Sequence, residues 1–440
     1  MAADEEHSAE DQFREMLNAF LSGAGGLDPA ELARAAGLPN DPALLAQMMS
    51  QLQGVMSSAS DGIDWSVATR QAKSIANPAT TEVTVEQRAD LDQALTLANL
   101  WLGEVTSIAE LPSPAKLLTR TEWIGLTMPI WQELAEPVAT SIADALTAVV
   151  QQNVTAEIAG IGDAGTLLRN LGGTLFAIQL GQVIGQLSAD VVSGGDAGIP
   201  LIDTAALLPQ NVDAFADGLE IDLDQVRLYL AVRELAHARL FRHARWLRLH
   251  LLSAIGDFAR GISVDAEKMG DLAERFDPSN PEELRDAVAN GALIAPKSPA
   301  QQAALARLET TLALIEGWVD VVTEQATLRL PKADAVAETV RRRRAAGGPS
   351  ESAFGTLVGL ELRPRKLREA AALWRAVTQS IGAEARDALW YHPDMLPAAD
   401  DLDNPAALIA RLTAPAQEMD AMDRALQDLI DQEPPTPGGA

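Results

Sequence analysis

From Trp65 onward apolar side chains return every three or four residues, as in Leu91, Leu95 and Leu97 to Trp101, and again between Trp123 and Val138. That spacing gathers them on one side of a 3.6-residue helix, and Ser, Asp, Gly and Pro interrupt it at helix-like lengths. Alternating apolar and polar runs are scarce, with short strand-like pieces only near Thr81 to Val85 and Ile199 to Asp203. The expectation is a mainly α fold: one large helical domain with little or no sheet. With 47% hydrophobic residues in 440, the chain can bury a sizeable core. Residues 61–432 are expected to form it, after a loosely attached acidic segment at 1–60 and before a disordered tail rich in Pro and Gly at 433–440.

Charge and composition narrow the function. Against 34 Lys and Arg stand 62 Asp and Glu, a net charge of −28. That balance argues against a nucleic-acid partner, whose phosphates are gripped by clustered cations. The absence of Cys removes disulfides, thiol nucleophiles and Cys-ligated zinc, so any metal must be held by His and carboxylates. Met1 to His7 is acidic and lacks the order of a signal peptide, so a cytoplasmic location is expected. The stretch Asn170 to Ala189 is long and uncharged, but Gln179, Gln182, Gln186 and its glycines make it a buried core helix rather than a membrane span. Gly172, Gly173, Gly181 and Gly185 read as a device for close helix packing. Arg341 to Arg344, followed by Ala-Ala-Gly-Gly-Pro-Ser, reads as a solvated loop between helices. No phosphate-binding loop, dinucleotide fingerprint or serine nucleophile elbow is present.

Histidine is rare, at His7, His237, His243, His250 and His392, and three of the five fall within fourteen residues. The segment from Asp224 to about residue 252 reads as one long helix, with Asp222 or Asp224 as its N-cap. On it Val226, Leu230, Arg233, His237, Leu240, Phe241 and Ala244 share a stripe, so Arg233 and His237 lie on an apolar face. His243 points about 120° away from His237 on such a helix. With His250 it reads as a polar-face or interface residue. A guanidinium on an apolar face needs an acidic partner. A second helix, Gln302 to Ala326, supplies one: Leu305, Leu308, Leu312, Ile315, Glu316, Val319 and Val322 form a stripe with Glu316 embedded, and Asp320 sits one turn on. Gly317 is unusual in a helix interior and predicts close approach of another element.

The run Arg233-Glu234-Leu235-Ala236-His237 resembles the zincin signature His-Glu-x-x-His with Arg in place of the first His. Glu316-Gly317-Trp318-Val319-Asp320 resembles the Glu-x-x-x-Asp element that completes some zincin sites. Together with Arg120 to Trp123, Asn170 to Gly173, Gly181 to Gly185 and His392 to Pro397, these segments look like a bacterial family of zinc-dependent metalloproteases and hydrolases. A branch of it is associated with deazaflavin coenzyme biosynthesis. The resemblance implies His237 and Glu316 as zinc ligands, Glu234 as general base, and Asp320 as the carboxylate behind the first ligand. Arg233 breaks that pattern, because a guanidinium offers no lone pair and a catalytic zinc needs three protein ligands.

Two classes of function follow. One is a metal-dependent peptidase in which Glu234 works beside zinc on His237, Glu316 and a further group. The other is an inactive zincin scaffold that binds a peptide, protein or small molecule, with Arg233 in a bidentate salt bridge to Glu316 or Asp320.

Overall fold

The computed structural model describes residues 63–153, 164–261, 296–345, 353–355 and 366–414; the expected N-terminal segment and C-terminal tail lie outside them. The chain folds as one mainly helical domain with a minimal sheet, as the spacing of its apolar residues predicts. Helix α1 (Trp65–Ala76) opens at Asp64, whose carboxylate accepts from the Ser66 amide at 3.0 Å, and it buries Ala68, Ala72 and Ala76. Helix α2 (Val85–Val105) opens at a capping box between Thr84 and Gln87, which satisfies amides that a helix start leaves unpaired. The expected strand near Thr81 is therefore the lead into a helix. Helix α3 (Arg120–Asn153) packs on α4 (Ala164–Asp190), and α4 crosses α1 closely. A Cβ at Gly181 would lie 2.5 Å from the Ala68 carbonyl oxygen, and one at Gly185 2.9 Å from that of Ala72. Those two glycines are what let the helices touch. Phe176, Leu180, Ile184 and Leu187 of α4 are buried, and no described helix is long and apolar enough to cross a membrane.

The centre of the domain is built from two helices. After α5 (Pro209–Ala216), α6 (Leu223–His243) is buried without interruption from Val226 to His237. The long helix expected through residue 252 is broken: Ala244 leaves helical geometry at φ −89°, ψ 69°, and α7 (Arg245–Arg260) starts after it. Asp222 occupies the N-cap position, but its side chain makes no capping bond. Helix α8 (Pro299–Ala326) begins with a Ser298–Gln301 capping box and is buried from Thr311 to Thr323. What reads as a stripe in sequence is buried on every side, because neighbours cover the polar faces too. Helices α9 (Ala333–Ala345), α10 (Leu367–Ala388), α11 (Ala399–Asp403) and α12 (Pro405–Thr413) follow.

Helix α10 fixes the rotation of α8. A Cβ at Gly317 would lie 2.7 Å from the Ala370 Cβ, so glycine is what admits the contact. Trp318 Nε1 donates to Asp387 Oδ1 at 2.9 Å, and Trp374 Nε1 donates to the Leu314 carbonyl at 2.8 Å. With α8 held in this way, Glu316 is aimed at α6. The sheet has two residues per strand: Lys116–Leu117 (β1) runs parallel to Ala206–Leu207 (β2). Ser193 bridges to Leu207, and the Gly194 amide donates to the Ala206 carbonyl at 2.8 Å. The strand expected at Ile199 to Asp203 does not form; bends carry the chain to β2. This small sheet presses the loop 192–198 onto α6.

Candidate functional site

Arg233 and His237 stand one turn apart on α6 and both reach Glu316 of α8. Arg233 Nη2 donates a short hydrogen bond to Glu316 Oε2. His237 Nε2 lies 3.0 Å from Glu316 Oε1. All three residues are buried, at 8%, 2% and 1% exposure, so the acid that a buried guanidinium requires is present. Of the two expected acids Arg233 meets Glu316, and the pairing departs from expectation in one respect: it uses one nitrogen rather than a bidentate fork. Asp320 instead accepts from Arg341 at 2.9 and 3.2 Å and lies 3.7 Å from Arg375.

Arginines 341–344 are not a solvated loop. They form the last turn of α9, and only Arg342 points outward, to Glu338 at 2.7 Å. Arg343 lies 3.2 Å from Asp196 and 5.7 Å from the Phe215 ring. Arg344 Nη1 lies 2.6 Å from Glu316 Oε1. A signal for this was available, since Val336 and Val340 set the buried face of α9 and positions 343 and 344 continue it. Four consecutive charges hide that period.

Glu234 turns to the loop 192–198 and β2, on the same cleft as His237. Its Oε2 accepts from the Gly195 amide and its Oε1 from the Ala206 amide, both at 2.8 Å. Burial pushes its pKa up to about 7, against the pull of the two amides and the Ser193 hydroxyl. The loop can lie this close because residues 194 and 195 are glycine. A Cβ at Gly195 would stand 2.9 Å from His237 Cγ and 3.0 Å from Glu234 Oε2. Glu234 thus ties β2 and the loop 192–198 to α6.

Burial by itself would raise the Glu316 carboxyl, but Arg344, His237 and Arg233 outweigh it and hold the group well below the usual carboxylate range. Burial also keeps His237 below its ordinary value, so the guanidiniums are the permanent cations. They differ from each other. Burial lowers both, but Glu316, Tyr229 and Asp320 more than restore Arg233, whereas Arg344 stays lowered.

Arg233, Glu234, His237 and Arg344 line a cleft of about 20 Å³, room for little more than one water, with Val192, Leu230, Phe215 and Val340 as its apolar wall. Two donors beside it suit a metal: His237 Nε2, whose ring lines the cleft, and Glu316 Oε1, 3.0 Å behind it. The third position is Arg233, and Arg344 contacts the same carboxylate oxygen. Among the described residues no group of three His, Asp or Glu gathers to hold an ion. The residues present therefore do not fit a three-ligand zinc site. The His243 ring lies tilted against Tyr391 at 4.7 Å and His250 packs edge-on to Trp246 at 5.7 Å, outside the cleft lining.

Comparison with solved structures gives the same architecture elsewhere. A "putative hydrolase with a novel fold" from Chloroflexus aurantiacus superposes with a TM-score of 0.56 at 19% identity, covering 80% of this chain and 99% of the other. No curated protein matches the chain significantly. The family model for zincin-like metallopeptidases matches residues 63–409, which include α6, α8 and α9 with every residue of the cleft. The chain belongs to the zincin-like metallopeptidase family.

Proposed function

We propose that this chain is a zincin scaffold whose metal position has become an ion-pair clasp, and that it binds a peptide, protein or small molecule without hydrolysing it. The observation that carries the reading is the pair of guanidiniums on Glu316: Arg233 at one oxygen and Arg344 at the other. Both are permanent cations where a zinc ion would need a lone pair and open space. The position of Glu234 supports the same reading. Both of its oxygens accept backbone amides where it lines the cleft, which suits a structural acceptor. A cytoplasmic location belongs to this reading as well.

The second reading is a zinc-dependent hydrolase with Glu234 as general base and His237 and Glu316 as ligands. It is favoured by the 3.0 Å approach of His237 Nε2 to Glu316 Oε1 without a directed hydrogen bond, and it needs a third donor that Arg233 cannot supply. Zinc measured in protein purified from metal-replete medium separates the two. The clasp predicts substoichiometric zinc, unchanged in His237→Ala. Near-stoichiometric zinc that disappears in His237→Ala rejects the clasp and supports the hydrolase.

A further inference from the structure

The two guanidiniums at Glu316 are seated differently. Arg233 donates a directed hydrogen bond to Oε2. Arg344 comes within 2.6 Å of Oε1, yet that oxygen accepts no aligned hydrogen bond and the Arg344 Nε is buried without a partner. Its Nη2 lies 3.8 Å from Asp196 Oδ1 and 3.3 Å from the Asp196 carbonyl. The adjoining His237 ring is 2% exposed, and neither of its nitrogens has a directed partner. Buried polar atoms are ordinarily satisfied. His237 Nδ1 and Arg344 Nε are not, and both residues line one cleft.

The lining states what the cleft accepts. The Arg344 guanidinium, which lines the cleft, reaches two carboxylates, Glu316 and Asp196, and such a pair suits a planar fork of donors better than a compact ammonium. Phe215, Leu230, Val192 and Val340 form a wall that can cover an aliphatic stem. Free space amounts to one water, so a guest enters only where Arg344 leaves. Arg344 belongs to the last turn of α9, which is anchored earlier by buried Val336 and Val340. Its side chain can therefore withdraw while the helix stays packed. A net charge of −28 draws basic partners toward the molecule.

We propose that Arg344 is an internal ligand in a guanidinium-accepting cleft, and that the exchangeable occupant is an arginine side chain of a partner peptide. The proposal rests on the metal-free reading of the site. Arg344→Gln removes the internal ligand and leaves Glu316 held by Arg233. Methylguanidinium chloride titrated into Arg344→Gln should raise its thermal midpoint saturably, whereas sodium chloride at equal ionic strength should not. A dye-labelled arginine amide should bind Arg344→Gln with a Kd about tenfold or more below that of the native chain, since no internal competitor remains. If Arg344→Gln does not fold, Arg344→Lys takes its place, with tighter arginine amide binding than native expected and unchanged binding counting against the idea. No saturable rise together with equal or absent arginine amide binding overturns the internal ligand and leaves the metal-free reading standing. A saturable rise in the native protein with zinc chloride overturns that reading, and the proposal with it.

Discussion

Replacing Arg233 with methionine keeps most of the side-chain volume and removes the charge together with its hydrogen bond to Glu316, so its effect on stability reads the clasp. Glu316 is 1% exposed, and breaking a buried pair by removing one partner costs about 3 to 5 kcal/mol. A Coulomb estimate agrees: unit charges about 4 Å apart at an effective dielectric of about 20 attract by about 4 kcal/mol. Arg344 remains 2.6 Å from the other oxygen and still compensates the carboxylate, so Arg233→Met is expected at the low end, about 3 kcal/mol. Arg344→Met is expected to cost less, about 2 kcal/mol, because burial already leaves that guanidinium poorly compensated. The double variant strands Glu316 beside His237 alone and should exceed the sum by about 1 kcal/mol or more. Urea unfolding reads all three, with the midpoint moving at constant m. A loss below about 1 kcal/mol for Arg233→Met, or strict additivity in the cycle, would refute the shared clasp.

Three further outcomes follow. Burial raises Glu234 to about 7 from 4.5, so between those pH values the folded state holds a proton that the unfolded chain releases. Stability from this group falls with rising pH across that window by about 3 kcal/mol in all, and the difference between native and Glu234→Gln should carry the slope. Taking the difference matters because His237, lowered by burial, slopes the opposite way below 6.5, and Glu316 loses its contribution as pH falls through the acid range. A flat difference between pH 5 and 7 would count against a buried, protonated Glu234. Gly195→Ala should cost at least about 2 kcal/mol, because its Cβ meets His237 Cγ and Glu234 Oε2, whereas Gly103→Ala in α2, with nothing within 4 Å, should gain about 0.5 to 1 kcal/mol. Gly317→Ala should also destabilise in thermal melts despite the better helix propensity of Ala, because its Cβ would strike Ala370.

The meeting of Arg233, His237 and Glu316 was legible because helical period and the cost of a lone buried charge act together: a cation on one apolar face requires an anion on another. Gly317, Gly181 and Gly185 were legible for a similar reason, since glycine within a helix is unfavourable unless something passes close by. Arg344 was not. Its role depends on a partner reached only when α9 folds against α6, and a run of four arginines looks solvated whichever face each one takes. The partner of Asp320 was missed with it, since Arg341 stands in the same run. The motif around Glu234 points to a base, while its amide partners come from a loop whose shape is set by two glycines and a two-residue sheet. No local signal marks the break at Ala244, where the backbone alone changes course.

Anomalous diffraction at the zinc edge, from crystals grown with added zinc, looks directly at the space between His237 Nε2 and Glu316 Oε1. The clasp predicts guanidinium density from Arg233 and Arg344 against the carboxylate and no anomalous peak. A peak within bonding distance of both atoms, with the two arginines turned away, would contradict it.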